Sequence, residues 1–453
     1  MRTKSRLVLR SIMAGATATT FLAACAGAGG SGGGGGGDSI NVLMVNNPQM
    51  TQLEELTAEH FTEETGIDVH FTVLPENEVR DKISQDFANQ SGQYDVATIS
   101  NYETPIYSGN DWLHPLDDYL ADDADYAVDD ILPPIQTSLT GADGQVYAQP
   151  FYGESSFLMY RTDVFDEHGL EMPERPTWQE VAELAAEVDG AEEDMKGICL
   201  RGLPGWGEVI APLTTVVNTF GGTWFDAEWN ARLTDPEFVE ATEFYVNLVR
   251  EHGESGAAQA GYAECLNNMV QGNTAMWYDA TAGAGSLEAE DSPVRGTIGY
   301  VPAPVVETES SGWLYTWAWG VQRASDNADN AWEFISWASS AEYEELVGET
   351  LGWQNVPAGK RASTYENADY QAAAGAFYQV THDAIAEARP DDPGVQERPA
   401  PGVQFVGIPE FADLGTRVSQ EISEAIAGRQ SVQDALEASQ ALAEDVAEEY
   451  RNR

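Results

Sequence analysis

From Ser39 to Ile99 the hydrophobic period alternates between strand and helix, and this order restricts the fold more than any other feature. "SINVLMV" (Ser39–Val45) reads as a buried strand. A helical stretch follows, with Leu53, Leu56, His60 and Phe61 on one face and Gly66 as its stop. "DVHFTV" (Asp68–Val73) alternates as a strand, "NEVRDKISQDFANQSG" is helical, and "DVATI" (Asp95–Ile99) is a short strand. Strand–helix–strand–helix–strand predicts an α/β fold with a parallel sheet and right-handed crossovers. Ligands of such sheets sit beyond the carboxyl ends of the strands. Asn46 and Asn47 follow the first strand, and Asn101, Tyr102 and Glu103 follow the third.

A second β/α unit comes next. Gly144 marks a turn, and extended pieces flank Pro150. A helix with the capping box Thr177–Glu180 starts after Pro176 and stops at Gly190. The strand "GICL" then enters the loop "LRGLPGWGE" (Leu200–Glu208). Asp235-Pro236 starts a helix that turns Phe238, Ala241, Phe244, Tyr245 and Leu248 inward. "TAMWYDA" (Thr274–Ala280) is a strand, and "TIGYVPAPV" and "WLYTWAWGVQ" are later ones. A long amphipathic helix begins near Ser431.

The loop packs an arginine, an indole and a carboxylate among three glycines and a proline. Trp206 offers a ring face, Arg201 and Glu208 offer donors and acceptors, and the glycines allow close backbone approach. A polyhydroxylated solute needs rings for its C–H edges and paired polar groups for its hydroxyls. The loop therefore reads as one wall of a pocket. Trp206 as a packing anchor and Arg201–Glu208 as a structural ion pair is the alternative, and a carboxylate ligand on Arg201 is another. Glu154 in "FYGESS" and Asp279 in "WYDA" read either as ligand acceptors or as ordinary buried acids. Tyr315, Trp317 and Trp319 share one strand face, so one or two of them are expected in a cleft and the rest in a core.

The chain carries 22 Lys+Arg against 75 Asp+Glu, a formal charge of −53 over 453 residues. No basic stripe exists to bind nucleic-acid phosphates, so that partner class is excluded. The acids are dispersed among recurring aromatics, which suits a folded protein in concentrated salt. Residues 1–24 have the basic start and mildly apolar run of a secretory signal. Leu22-Ala23-Ala24-Cys25 resembles the lipobox of bacterial lipoproteins, which implies lipidation of Cys25. Residues 25–37 then read as a glycine-rich tether. The expected location is the outer face of the cell membrane, held by lipid. Export permits a disulfide between Cys199 and Cys265, and two buried thiols are equally compatible with the sequence. No metal-ligand spacing or cofactor motif is present.

The stretches "PFYGESSFLMYRTDVF", "ICLRGLPGWGE", "AMWYDAT", "YTWAWG" and "NAWEFISWASSAEY" resemble the extracellular solute-binding proteins of bacterial ABC importers. The branch is that of maltose-binding protein, and within it the chain is similar to the sorbitol/mannitol (polyol) binding proteins. Val209-Ile210 departs from the Asn-Met common there, which bears on the exact ligand. The resemblance implies two lobes with a cleft between them, a sugar or polyol ligand, delivery to a permease, no catalysis and a monomer. It implies that 38–150 with 298–335 form one lobe and 151–297 with 336–453 the other. It brings Asn46, Asn47, Tyr102, Glu103, Tyr152 and Glu154 to the ligand from the first half of the chain. Arg201, Trp206, Glu208, Asp279 and Trp317 join them from the second. The acids would accept from hydroxyls, Arg201 and the Asn amides donate, and the rings pack on carbon. A rival class is a cell-surface glycoside hydrolase using two of these acids.

Overall fold

Strand β1 (Ser39–Val45) is apolar and buried on both faces from Val42 to Val45. It lies between β2 (Asp68–Leu74) and β3 (Val96–Ser100) and pairs parallel with each; Ile40 faces Val69 and Val42 faces Val96. The computed structural model describes residues 38–192 and 195–453, and the expected signal, Cys25 and tether lie outside them. Asp38–Arg453 forms one compact unit.

The larger sheet has the order β2-β1-β3-β8-β4, with β4 at Ala148–Glu154 and β8 at Tyr315–Val321. β8 runs antiparallel to both its neighbours, so the sheet is mixed rather than wholly parallel. The smaller sheet is antiparallel, in the order β6-β5-β7: β5 is Ser156–Arg161, β6 Met276–Ala280 and β7 Ile298–Pro302. Helices flank both sheets. The Thr177–Glu180 capping box forms and starts the helix Trp178–Val188. "GICL" does not form a full strand, because the Ile198 amide turns away to the His252 carbonyl while Cys199 bridges β6 at Trp277. Cys199 and Cys265 are joined by a disulfide.

Strand pairing moves the expected lobe crossings. β4 continues past Pro150 to Glu154, so the first crossing is at Ser155. β7 pairs with β5, which puts residues 298–302 with the smaller sheet and the second crossing between Pro302 and Tyr315. Residues 336–361 stay with the larger sheet rather than leaving it near Ser336. Tyr343 packs on Phe151 of β4, and the buried Arg361 guanidinium donates to the Tyr126 carbonyl and pairs with Asp130. Strand order, not hydrophobic pattern, sets these boundaries.

Candidate functional site

A cavity of about 260 Å³ opens where the carboxyl ends of β1 and β4 meet the smaller sheet. Several segments supply its polar wall, Asn46 and Asn47 after β1 among them. β4 ends in Tyr152 and Glu154, and the glycine-rich loop brings Arg201 and Glu208. The first turn of the helix Glu76–Ala88 brings Glu76 and Arg80, and the helix Tyr262–Val270 starts at Tyr262. Trp317 and Phe405 add ring faces.

On the smaller-sheet side, Arg201 makes a two-pronged pair with Asp279: Nε donates to Oδ2 at 2.8 Å and Nη2 to Oδ1 at 2.6 Å. Nη1 donates to the Gly207 carbonyl at 2.8 Å and lies 3.6 Å from Glu208 Oε2. Burial works against the Arg201 charge, but the adjoining Asp279 outweighs it and holds the pKa well above the ordinary range. Trp277 Nε1 and the Ala280 amide also donate to Asp279, so that carboxylate is saturated. Glu208 accepts from the Tyr262 amide at 3.2 Å, at the start of the helix. A Cβ at Gly261 would lie 2.6 Å from Glu208 Oε2 and push that carboxyl aside.

On the larger-sheet side, Arg80 is the counterpart. Its Nη2 donates to Glu76 at 2.8 Å and to the Tyr315 hydroxyl at 2.6 Å. Its guanidinium lies 4.2 Å from the Trp206 ring and 4.7 Å from the Trp317 ring, a cation between two indoles. Trp206 belongs to the loop and Trp317 to β8, so this stack joins the two sides. Asn77 Nδ2 donating to the Pro204 carbonyl at 3.0 Å joins them again.

Glu154 is 6% exposed and lines the cavity at the β4–β5 junction. Burial pushes its pKa from the ordinary 4.5 to about 8, opposed by Arg201 and reinforced by Asp279 and Glu76. Burial, then the Glu76 charge, raises Glu208 as well. These acids hold protons near neutral pH and can donate as well as accept.

The model of the family described as bacterial extracellular solute-binding protein matches residues 46–345. The chain is a bacterial extracellular solute-binding protein. It is 38% identical to a mannitol-binding protein of Pseudomonas aeruginosa, over 89% of this chain and 92% of that one. It is 26% identical to an erythritol/L-threitol-binding protein of Mycolicibacterium smegmatis, over 67% of each. A crystal structure of an ABC transporter solute-binding protein from Agrobacterium vitis S4, with bound D-mannitol, superposes with a TM-score of 0.89. That protein is 42% identical, and the match covers 91% of this chain and 99% of that one. These likenesses establish the two-lobed architecture of solute-binding proteins, and the cavity is lined by residues from both sheets.

Of the expected site residues in this solute-binding protein, Asn46, Asn47, Tyr152, Glu154, Arg201, Glu208 and Trp317 line the cavity. Asn47 also caps the following helix, accepting from the Met50 amide, and donates to the Tyr152 hydroxyl at 3.0 Å. Tyr102, Glu103, Trp206 and Asp279 stand one layer behind it. Tyr102 packs on Trp206 and donates its hydroxyl to the Ile408 carbonyl at 2.8 Å. Glu103 accepts from the Ser100 amide and faces Arg80 at 3.4 Å. Trp206 is the packing anchor of the alternative reading, yet a working one, since Arg80 rests on it. Tyr315 and Trp317 reach the cavity, whereas Trp319 is in the core against Phe151 and Phe334.

Sequence reasoning missed Glu76, Arg80, Tyr262 and Phe405. Glu76 and Arg80 follow β2 directly, so the rule of carboxyl strand ends was the signal that pointed to them. Tyr262 and Phe405 gave no comparable signal.

Proposed function

We propose that this solute-binding protein captures a linear polyol of the sorbitol or mannitol type and delivers it to an ABC permease. The observation that carries the reading is a small cavity with an arginine–acid cluster on each side and aromatic rings between them. A volume of about 260 Å³ is below the ordinary range for drug-sized ligands, roughly 300–1,000 Å³. It favours a single short chain of carbons over an oligosaccharide. Hydroxyls donate and accept at once, which matches acids that hold protons beside arginines paired with neighbouring acids. The relatives named for mannitol and for erythritol/L-threitol support the same class.

Glu76, Glu154 and Glu208 exchange hydrogen bonds with hydroxyls, Asn46 donates, and Tyr152 and Trp317 pack on the carbon chain. Tyr102, Glu103, Trp206 and Asp279 hold these groups in place. The protein works as a monomer outside the cytoplasm, anchored through Cys25, and closes its lobes on the ligand. It is a carrier and not a hydrolase.

Titration of tryptophan fluorescence with mannitol, sorbitol, arabitol, xylitol, glucose and maltose tests the reading. Saturation by a polyol alone is expected. Saturation by a monosaccharide or maltose alone moves the ligand. Sustained release of phenol from aryl glycosides, lost in Glu154→Gln, replaces transport with hydrolysis.

A further inference from the structure

The cavity has an asymmetry of charge that its arginines do not relieve. Three carboxyl groups line it, from Glu76, Glu154 and Glu208, and Asp279 and Glu103 stand directly behind. With Glu154 and Glu208 holding protons at pH 7, Glu76, Asp279 and Glu103 still outnumber the two arginines, Arg80 and Arg201. Both guanidiniums are already committed to the protein. Arg201 spends Nε and Nη2 on Asp279 and Nη1 on the Gly207 carbonyl. Arg80 spends Nε and Nη2 on Glu76, Nη2 again on Tyr315, and Nη1 on Glu103. A ligand carboxylate entering here meets guanidiniums whose charge is already paired with Asp279, Glu76 and Glu103.

Glu154 is the opposite case. It is buried, it faces the cavity, and among the described residues no group donates a hydrogen bond to its carboxyl; it feels burial and charges only. The charges acting on it are Arg201 from the loop, Asp279 from β6, and Glu76 and Arg80 from the helix after β2. Tyr152 on its own strand and Tyr262 across the cavity are the neutral titratable neighbours. A ligand ammonium would supply both the donors and the charge that this carboxyl lacks.

Resting on the polyol reading, we infer that the cavity also takes amino alditols, polyol chains with one terminal ammonium group, and rejects the aldonates of the same chain. Specificity of this kind comes from repulsion of the wrong charge as much as from attraction of the right one. Because burial keeps Glu154 protonated up to about pH 8, an arriving ammonium displaces its proton at pH 7. The proton leaves to buffer and the carboxylate pairs with the ammonium, so charge balances.

Calorimetric titration of the full chain at pH 7 tests this, with D-mannitol, 1-amino-1-deoxy-D-mannitol and D-mannonate as probes. Each is run in two buffers of different ionisation enthalpy. The amino alditol is expected to bind within about tenfold of mannitol or tighter, with proton release that mannitol does not show. Mannonate is expected to bind at least about a hundredfold more weakly than mannitol. Glu154→Gln is expected to shift the amine-to-mannitol affinity ratio by about tenfold toward mannitol and to cut the proton release. Mannitol binding with no amino-alditol binding, amino-alditol binding without proton release, or mannonate binding as tight as mannitol overturns the inference and leaves the polyol reading intact. No binding of any probe by folded protein removes both.

Discussion

Asp279 is fully buried and grips Arg201 with both carboxylate oxygens. Removing one partner of a buried pair strands the other charge, at a cost of about 3–5 kcal/mol. Asp279→Ala is therefore expected to lower stability by about that amount in denaturant melts, and to weaken polyol binding at least tenfold, about 1.4 kcal/mol. Glu154 gives a pH signature. Its folded pKa, about 8, stands above the ordinary 4.5, so its stabilising contribution is complete below about pH 4.5 and fades as pH rises through about 8. The melting temperature should fall across that window by this contribution, and Glu154→Gln should flatten the slope. An unchanged slope in the variant would mean that Glu154 does not titrate as its burial requires. At this scale the sequence was partly informative. Asn46, which follows β1, was readable because a strand end aims at the cleft by rule, whereas Glu154 in "FYGESS" read either as a ligand acceptor or as an ordinary buried acid. Which residue touches ligand and which stands behind it was not readable, because Arg201 and Asp279 are 78 positions apart and only folding pairs them.

Among the elements, β1 through β3 were legible almost to the residue, since β1 and β3 carry buried apolar runs and β2 alternates as a half-covered edge strand does. The first turn of the helix Glu76–Ala88 was not legible as a wall of the site. Arg80 sits beside Val79 in an ordinary amphipathic pattern, and its role depends on two indoles from distant segments. β4 shows the close fit at the junction between lobes. A Cβ at Gly153 would lie 2.3 Å from the Gly359 carbonyl oxygen, a backbone atom that cannot swing aside. Gly153→Ala should therefore push the Gly359 segment off β4 and lower the melting temperature by several degrees. Gly144→Ala has open space around it, so it carries only the strain of its positive φ of 83° and should cost less. Equal melting temperatures for the two variants would contradict the close packing.

For the whole molecule, a charge of −53 predicts self-repulsion that salt relieves. The melting temperature should rise as salt approaches molar concentration, and a melting temperature indifferent to salt would remove the case for a salt-adapted host. The two-lobed plan was foreseen through the resemblance of specific motifs, not through periodicity. The crossings were misjudged because a strand's partner is invisible in its own sequence: β7 reads the same whichever sheet receives it. The central claim is that a polyol occupies the cavity between the lobes. Calorimetric titration of the full chain with D-mannitol in high salt tests it most directly. One saturable site, weakened at least tenfold by Asp279→Ala, is the predicted result. No heat of binding, from protein shown to be folded by circular dichroism, would contradict it.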